Sequence, residues 1–183
     1  MNTDPLEVRR WILLHGIRRS IRYHDRRVLH YDMLHSCGRT LSLLFGAAAF
    51  ASCATNLFPH ATPIFALCVA FVSALELGFG FSIKARKHDD LKKRFAVLEC
   101  RAEKIGEENI TEDILRDIKV ERLAIEADEP PVLHVLNIIC HNEISHAEGR
   151  DDDLYTLPIW QRLLSGFVDI GEPRHKAHQA PAT

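Results

Sequence analysis

Charge is missing from a long stretch of this sequence of 183 residues. Between Arg39 and Lys84 the only side chain with a formal charge at neutral pH is Glu76, when histidine is counted as neutral. The overall composition, 46% hydrophobic and 26% charged, looks like that of a soluble protein. That average hides a segregation of apolar from polar residues along the chain. Such segregation is typical of a membrane protein with soluble ends.

Sequence signatures of common enzymes are also missing. There is no phosphate-binding loop, no G-x-G-x-x-G, no G-x-S-x-G and no H-E-x-x-H. The five cysteines are odd in number and widely spaced, which predicts no disulfide framework and a reducing, cytoplasmic environment. We therefore predict that the protein is not an enzyme, has no catalytic residues and needs no cofactor. Nucleic acid is not an expected partner.

Two apolar runs fill the stretch that lacks charge, residues 41–58 and residues 63–83. As helices they would be about 27 and 31 Å long, at ~1.5 Å per residue. Both lengths approximate the ~30 Å hydrocarbon core of a bilayer. The alternative is a buried hairpin in a soluble bundle, but the chain has few other apolar runs that would cover it. The predicted fold class is all-α, an integral membrane protein with a two-span helical hairpin.

The distribution of basic residues predicts the orientation of the spans. Eight basic and four acidic residues precede the first run, and the same numbers occur in residues 84–104. The connector, residues 59–62, has no Lys or Arg. The positive-inside rule therefore places both termini in the cytoplasm. The basic flanks are either solvated helix surface or contacts to anionic lipid head groups.

Five segments follow from these patterns. Residues 105–183 contain seven basic and sixteen acidic residues, which separates the last part of the chain from the basic flanks. The predicted segments are a cytoplasmic amphipathic arm (1–38), the transmembrane hairpin (39–83), a cytoplasmic stalk (84–105), an acidic helical C-terminal module (106–171) and a disordered tail (172–183).

Start and stop signals predict the individual helices. The first would begin at Asp4-Pro5 and lead into the first span. The second would begin at Thr62-Pro63 and continue through Gly78 and Gly80 into the stalk. Three shorter helices are predicted at 112–127 after a Thr111 cap, from Pro130-Pro131 to about 147, and at 159–168 after Pro158. No strand is predicted.

One face of the second span is lined with small residues. They recur every four positions, which lets another helix approach closely and pack where lipid supplies no hydrophobic driving force. The predicted helix-packing residues are Ala66, Ala70, Ala74, Gly78 and Ser82. The first span offers alanine pairs as partners for this face. Contact with further copies of the chain, and hence a homo-oligomer, is a weaker inference from the same pattern.

Glu76 lies on the opposite side of the second span from the small residues, about 200° around the helix from Ala74. It shares that side with Ser73 and Gly80. An ionisable residue within a span is expensive and usually faces a wet cavity or a partner. One hypothesis is that Ser73, Glu76 and Gly80 line a water-filled seam between several copies. The other is that Glu76 is a structural carboxylate bonded to a neighbour.

A second group of polar residues lies in the predicted helix after Pro131. Cys140, His141, Glu143 and His146 have side chains that bind metals. Only Glu143 and His146, three residues apart, share a helix face. A four-ligand zinc site would need ligands from elsewhere, so we predict no metal site and expect interface polar groups instead.

Three features together resemble the SLATT family of bacterial two-span membrane proteins. They are the basic arm Tyr23-His24-Asp25-Arg26-Arg27, the two close spans, and a stalk that begins Lys84-Ala85-Arg86-Lys87-His88 and continues with Leu91, Phe95 and Leu98. The likeness covers about residues 20–105. It implies a homo-oligomeric effector of the bacterial inner membrane in anti-phage defence, one that forms pores or perturbs the bilayer.

Two functions remain open from the sequence. In the first, the protein is such an effector, gated through its cytoplasmic helices by a signal or protein partner that binds within residues 106–171. In the second, it is a non-conducting anchor or assembly scaffold, and the spans merely hold a docking module for a soluble partner. In both, the lipid bilayer is a partner.

Overall fold

A computed structural model of the chain describes residues 4–55, 60–105, 109–151, 154–168 and 174–175. The fold is almost entirely helical, as the sequence predicts. The chain divides into two compact units. The hairpin unit consists of Arg27–His88, and the helical unit combines Met1–Arg26 with Asp89–Thr183. Most of the predicted arm and most of the predicted stalk belong to the helical unit.

Helix α1, Pro5–Thr55, is 51 residues long and contributes to both units. Its predicted start is confirmed: a carboxylate oxygen of Asp4 accepts a hydrogen bond from the backbone N–H of Leu6 at 3.1 Å. Proline at the first helical position loses no hydrogen bond there, since that N–H has no partner within a helix. The N-terminal arm and the first span are therefore one continuous helix.

The second long helix is interrupted at Gly80, so the prediction of an uninterrupted helix is wrong at this residue. Helix α2 is Ala61–Phe79 and helix α3 is Phe81–Lys104. Between them Gly80 adopts a left-handed conformation, with φ 58° and ψ 44°. Glycine accepts this conformation without steric cost because it has no Cβ.

Helix α2 also begins two residues earlier than predicted, at Ala61 and not at Pro63. The predicted capping residue, Thr62, lies inside the helix, and His60 occupies the N-cap position without a capping side-chain hydrogen bond. The hydroxyl of Thr62 instead donates to the hydroxyl of Ser52 on α1, at 3.0 Å. A tertiary hydrogen bond has thus replaced the local cap.

Two helices of the described chain are long and apolar enough to cross a membrane: α1, and the segment Ala61–Lys104 that contains α2 and α3. In their most apolar stretches, 6% and 0% of the residues are buried within the chain. A core helix of a soluble bundle would be mostly buried, so the alternative of a buried hairpin is not what the structure shows.

The helical unit has an apolar core formed by α1, α3 and α4, and α4 is Glu112–Glu126. Apart from the neighbours Leu13 and Leu14, the buried residues on each helix follow one another at spacings of three, four or seven, as expected for one apolar helix face. They are Leu13, Leu14 and Ile17 of α1, Leu91, Phe95, Leu98 and Ala102 of α3, and Leu115, Ile118 and Ile125 of α4.

The prediction for α4 is confirmed to within one residue. The Thr111 hydroxyl accepts a hydrogen bond from the backbone N–H of Ile114 at 3.3 Å, as an N-cap should. Helix α5, His134–Ala147, begins later than the predicted start at Pro130-Pro131. Leu133, the N-cap residue, is extended, and its backbone N–H donates to the Tyr23 hydroxyl at 3.0 Å.

The last described elements are short. Helix α6 is Ile159–Leu164, shorter than the predicted 159–168, because the chain turns at residues 165–167. Strand β1, Tyr155–Thr156, pairs antiparallel with strand β2, Arg174–His175, which the sequence did not predict. Strand β2 falls within the predicted disordered tail, and the other residues of that tail lie outside the described residues.

Candidate functional site

In the hairpin unit, α1 and α2 pack along a seam of covered residues that recur at spacings of three and four. This periodicity is typical of two helices that cross at a small angle. Helix α1 contributes mostly small side chains to the seam. The α1 residues are His35, Gly38, Ser42, Phe45, Ala49 and Ser52, and the α2 residues are Thr62, Phe65, Val69, Val72 and Glu76.

Glu76 contacts His35 across this seam. Its carboxylate lies at His35 Nδ1, and both side chains are about a quarter exposed. Gly38, one turn along α1, lies beside this contact: an added Cβ there would be at ordinary van der Waals distance, 3.9 Å from Glu76 Oε2 and 3.8 Å from Val72 Cγ1. The glutamate in the apolar run therefore has a partner within its own chain.

The three predicted pore-lining residues are not equivalent in the structure. Glu76 faces α1, whereas Ser73 is exposed on the outside of the hairpin. Gly80 is partly covered and forms the left-handed break, where its N–H donates to the carbonyl oxygen of Glu76 at 3.0 Å. Within one chain, Ser73 and Glu76 do not share an open surface.

The five predicted helix-packing residues are all exposed on the hairpin: Ala66, Ala70, Ala74, Gly78 and Ser82. None of them belongs to the seam with α1, which uses the opposite side of α2. The face of small residues is therefore exposed in the single chain.

A cluster of aromatic and basic groups surrounds Tyr31 in the hairpin unit. Its ring stacks on His88 at a centroid distance of 5.7 Å, and the guanidinium carbon of Arg27 lies 4.4 Å from its centroid. Lys84 Nζ is 5.9 Å away. Burial and then the charge of Arg27 lower the pKa of the adjacent His30. Stacking and cation–π contacts together connect α1 with α3 here.

The helical unit contains a polar network around Glu148. One carboxylate oxygen accepts from the Trp11 indole N–H at 3.1 Å and contacts His15 Nδ1 at 3.1 Å. The other accepts from Arg18 at 3.3 Å. His15 Nε2 in turn lies 3.0 Å from His141 Nδ1 on α5. The network joins the N-terminal part of α1 to His141 of α5 and to Glu148, the residue that caps the C-terminal end of α5.

Arg18 extends this network to α3. It donates to Glu99 at 2.9 Å and to Glu103 at 2.6 Å. The hydrogen bond to Glu99 raises the pKa of Arg18, although partial burial opposes it. One guanidinium thus ties α1 to acidic groups of two other segments.

The four residues considered for metal binding have separate structural roles. Cys140 is buried, and burial raises the pKa of its thiol to about 12. His141 belongs to the Glu148 network, and Glu143 pairs with two arginines of α1. His146 contacts Asp151 at 2.7 Å. Among the described residues, no group of three or more His, Cys, Asp or Glu side chains is placed to hold a metal ion.

Sequence reasoning identified Glu76 but missed His35, Trp11, His15 and Glu148. These residues lie far apart along the chain, so only the helix register brings them together. Comparison with family models, with curated proteins and with solved structures found no match to this chain. The resemblance to the SLATT family therefore stays a prediction from the sequence.

Proposed function

We propose that the protein is a membrane-perturbing effector in which helical elements outside the bilayer control a two-span hairpin. The observation that carries this proposal is the Glu76–His35 pair within the hairpin seam. An anchor needs only apolar length, and ionisable groups within a span are costly. In an anchor the pair would be a fixed structural contact between α1 and α2, whereas in an effector it would hold the closed arrangement of a hairpin that also has an open one. In the open arrangement Glu76 would face a wet pathway.

Helix continuity supports control of the spans by the helical unit. In α1, Leu13 and Ile17 lie in the apolar core of the helical unit, and His35 lies in the seam of the hairpin unit. No residue between them leaves the helix. A shift or rotation of α1 caused by a signal at the helical unit would therefore be transmitted to the Glu76 pair.

The proposal extends to assembly and location. Several copies would pack through the exposed small residues of α2, as the α2 pattern favours. The charge distribution supports a cytoplasmic position for both termini, and the resemblance to the SLATT family supports the bacterial inner membrane and anti-phage defence.

The test measures ion leakage from vesicles that contain the full chain, together with membrane potential in cells that express it. Wild type is compared with Glu76→Gln and His35→Gln, and His60→Gln is the matched control because His60 is exposed and outside the seam. All variants are compared at equal membrane abundance. We expect both seam variants to change leakage several-fold and the control to leave it unchanged. Leakage that is the same in all four proteins would refute a role for the pair.

A second candidate is the non-conducting scaffold, which one observation on α6 favours. Gln161 of this helix and Ser165, which caps its C-terminal end, are buried, yet Ile159 and Leu163 are 75% and 74% exposed. Polar groups face inward and apolar groups face outward, as in a docking surface for a soluble partner. If the scaffold is the function, Leu163→Glu should abolish recovery of the soluble partner in a pull-down. Expression of the wild-type protein should then leave the membrane potential of the cells unchanged. Depolarisation by wild type that persists in Leu163→Glu would exclude the scaffold as the main role.

A further inference from the structure

A groove in the helical unit runs between the N-terminal part of α1 and helix α4. Its volume is about 510 Å³. The floor is apolar: Leu13 and Leu115 are buried beneath it, while Ile12 and Leu123 are 56% and 51% exposed. Half-exposed aliphatic side chains along a groove are a feature of ligand sites, since most such sites have apolar walls and a few polar groups.

Basic side chains line the edge of this groove. Arg9, Arg116, Lys119 and Arg122 are present, against only two acidic side chains. Both acids already have partners, because Glu112 pairs with Arg9 at 2.7 Å and Glu126 pairs with Arg122 at 2.7 Å.

The remaining two cations are available to a ligand. Within the described residues, Arg116 has one ion pair, at 3.0 Å with the highly exposed Asp113. Lys119 has no ion pair in the part of the chain that the structure describes. The positive edge is local, since residues 105–183 contain an excess of acidic residues. This distribution favours an anionic ligand.

The dimensions of the groove favour a thin ligand. Helix α4, which forms one wall, is about 22 Å long at ~1.5 Å per residue. A peptide helix with its side chains is ~10 Å across. A single extended hydrocarbon chain is thinner than such a helix, so it suits a groove of about 510 Å³ along this wall.

We propose that the groove binds one acyl chain that carries an anionic head group. The chain lies on Ile12 and Leu123, and the head group pairs with Arg116 and Lys119. A free fatty acid and an anionic membrane lipid share this chemistry. The proposal concerns the helical unit alone and does not rest on any conducting role of the spans.

The test uses photo-crosslinking to the full chain in phosphatidylcholine nanodiscs. The probe is hexadecanoate with a diazirine on its chain, and the matched neutral probe is the corresponding diazirine hexadecanol. Peptide mass spectrometry then locates the label. We expect the carboxylate to label peptides from residues 5–14 and from α4, with displacement by excess unlabelled hexadecanoate. The alcohol should label them about tenfold less, because it lacks the charge-assisted contact.

Charge reversal at the groove gives the specific variants. Arg116→Glu with Lys119→Glu should lower carboxylate labelling about tenfold, the effect of losing charge-assisted contacts. Both residues are exposed, so the variant keeps the core of the unit. Lys87→Glu is the control, because it reverses a charge in the hairpin unit and leaves the groove unchanged.

A second arm identifies the source of the ligand, with diazirine phosphatidylglycerol in the nanodisc in place of the free acid. Label in the groove from either probe supports the site, and the more efficient probe identifies a free fatty acid or a bilayer lipid. Three results overturn the proposal: label confined to the spans, groove label that charge reversal leaves unchanged, or groove peptides crosslinked to a second copy of the chain in place of the probe.

Discussion

Gly16 lies in the middle of α1, where a change to alanine normally stabilises a helix by about 1 kcal/mol. The structure predicts a different outcome for Gly16→Ala. An added Cβ would lie 2.8 Å from the guanidinium carbon of Arg122, which is closer than real contacts allow. The guanidinium packs directly on α1 at this glycine, and its side chain is only 19% exposed. It must move if a methyl group is added.

Two opposing effects determine the magnitude. Alanine gains about 1 kcal/mol from helix propensity. Displacement of Arg122 loses part of its ion pair with Glu126, about 0.5 kcal/mol, and also the packing of its guanidinium on α1, which contributes a similar amount. We therefore expect Gly16→Ala to change the free energy of unfolding by close to zero. In the background of Arg122→Ala the guanidinium no longer blocks the added methyl group. Gly16→Ala should then raise the free energy of unfolding by about 1 kcal/mol.

Thermal unfolding of the full chain in nanodiscs, followed by circular dichroism, measures both changes. A difference of about 1 kcal/mol corresponds to roughly 2–5 °C in Tm for a unit of this size. Gly46→Ala is the matched control, because no atom lies within 4 Å of its added Cβ. Its effect should be the same with Arg122 and with Arg122→Ala. An equal rise in Tm for Gly16→Ala in both backgrounds would show that the contact between Gly16 and Arg122 has no energetic consequence.

Two further predictions concern buried groups of the helical unit. Phe95 is fully buried and stacks on His24, so Phe95→Ala should lower the free energy of unfolding by about 3–5 kcal/mol, as thermal unfolding measures. Val97 is 67% exposed on the same helix, so Val97→Ala should lower it by under ~0.5 kcal/mol. Equal effects of the two changes would contradict the assignment of Phe95 to the core. The raised pKa of Cys140, about 12, predicts alkylation by iodoacetamide at pH 8 roughly 1000-fold slower than at exposed Cys100, as peptide mass spectrometry measures. Comparable alkylation of Cys140 and Cys100 in the folded protein would contradict the burial of Cys140. Because the thiol of Cys140 ionises at lower pH in the unfolded chain than in the folded one, the free energy of unfolding should fall as the pH rises above about 9.

Local chemistry explains which parts of the fold were predictable from sequence. The starts of α1 and α4 depend on Asp4 and Thr111, whose side chains bond backbone groups two or three residues away. The predicted start at Thr62 was wrong because its hydroxyl bonds Ser52 of another helix, a partner that no local pattern reveals. The left-handed break falls at Gly80 and not at Gly78, and the two glycines have the same intrinsic freedom.

The candidate site was predictable only in part, for a related reason. The cost of a charge in an apolar run identifies Glu76 as significant without any structure. Its partner depends on the register between α1 and α2, and a shift of one residue would turn His35 away from the seam. The Glu148 network is harder still to predict, because it joins Trp11 and His15 to residues more than 120 positions away.

The register also indicates the depth of the Glu76 pair in the proposed membrane. Ser52 and Thr62 bond near the connector, which marks the outer end of the hairpin. Glu76 is fourteen residues beyond Thr62, about 21 Å along the helix. In a hydrocarbon core of ~30 Å the pair would then lie within about 10 Å of the cytoplasmic side. A carboxylate at this depth is less costly than at the midplane, and the break at Gly80 follows Glu76 by four residues. In the proposed function, a small separation of the helices at this end would admit water from the cytoplasm to Glu76.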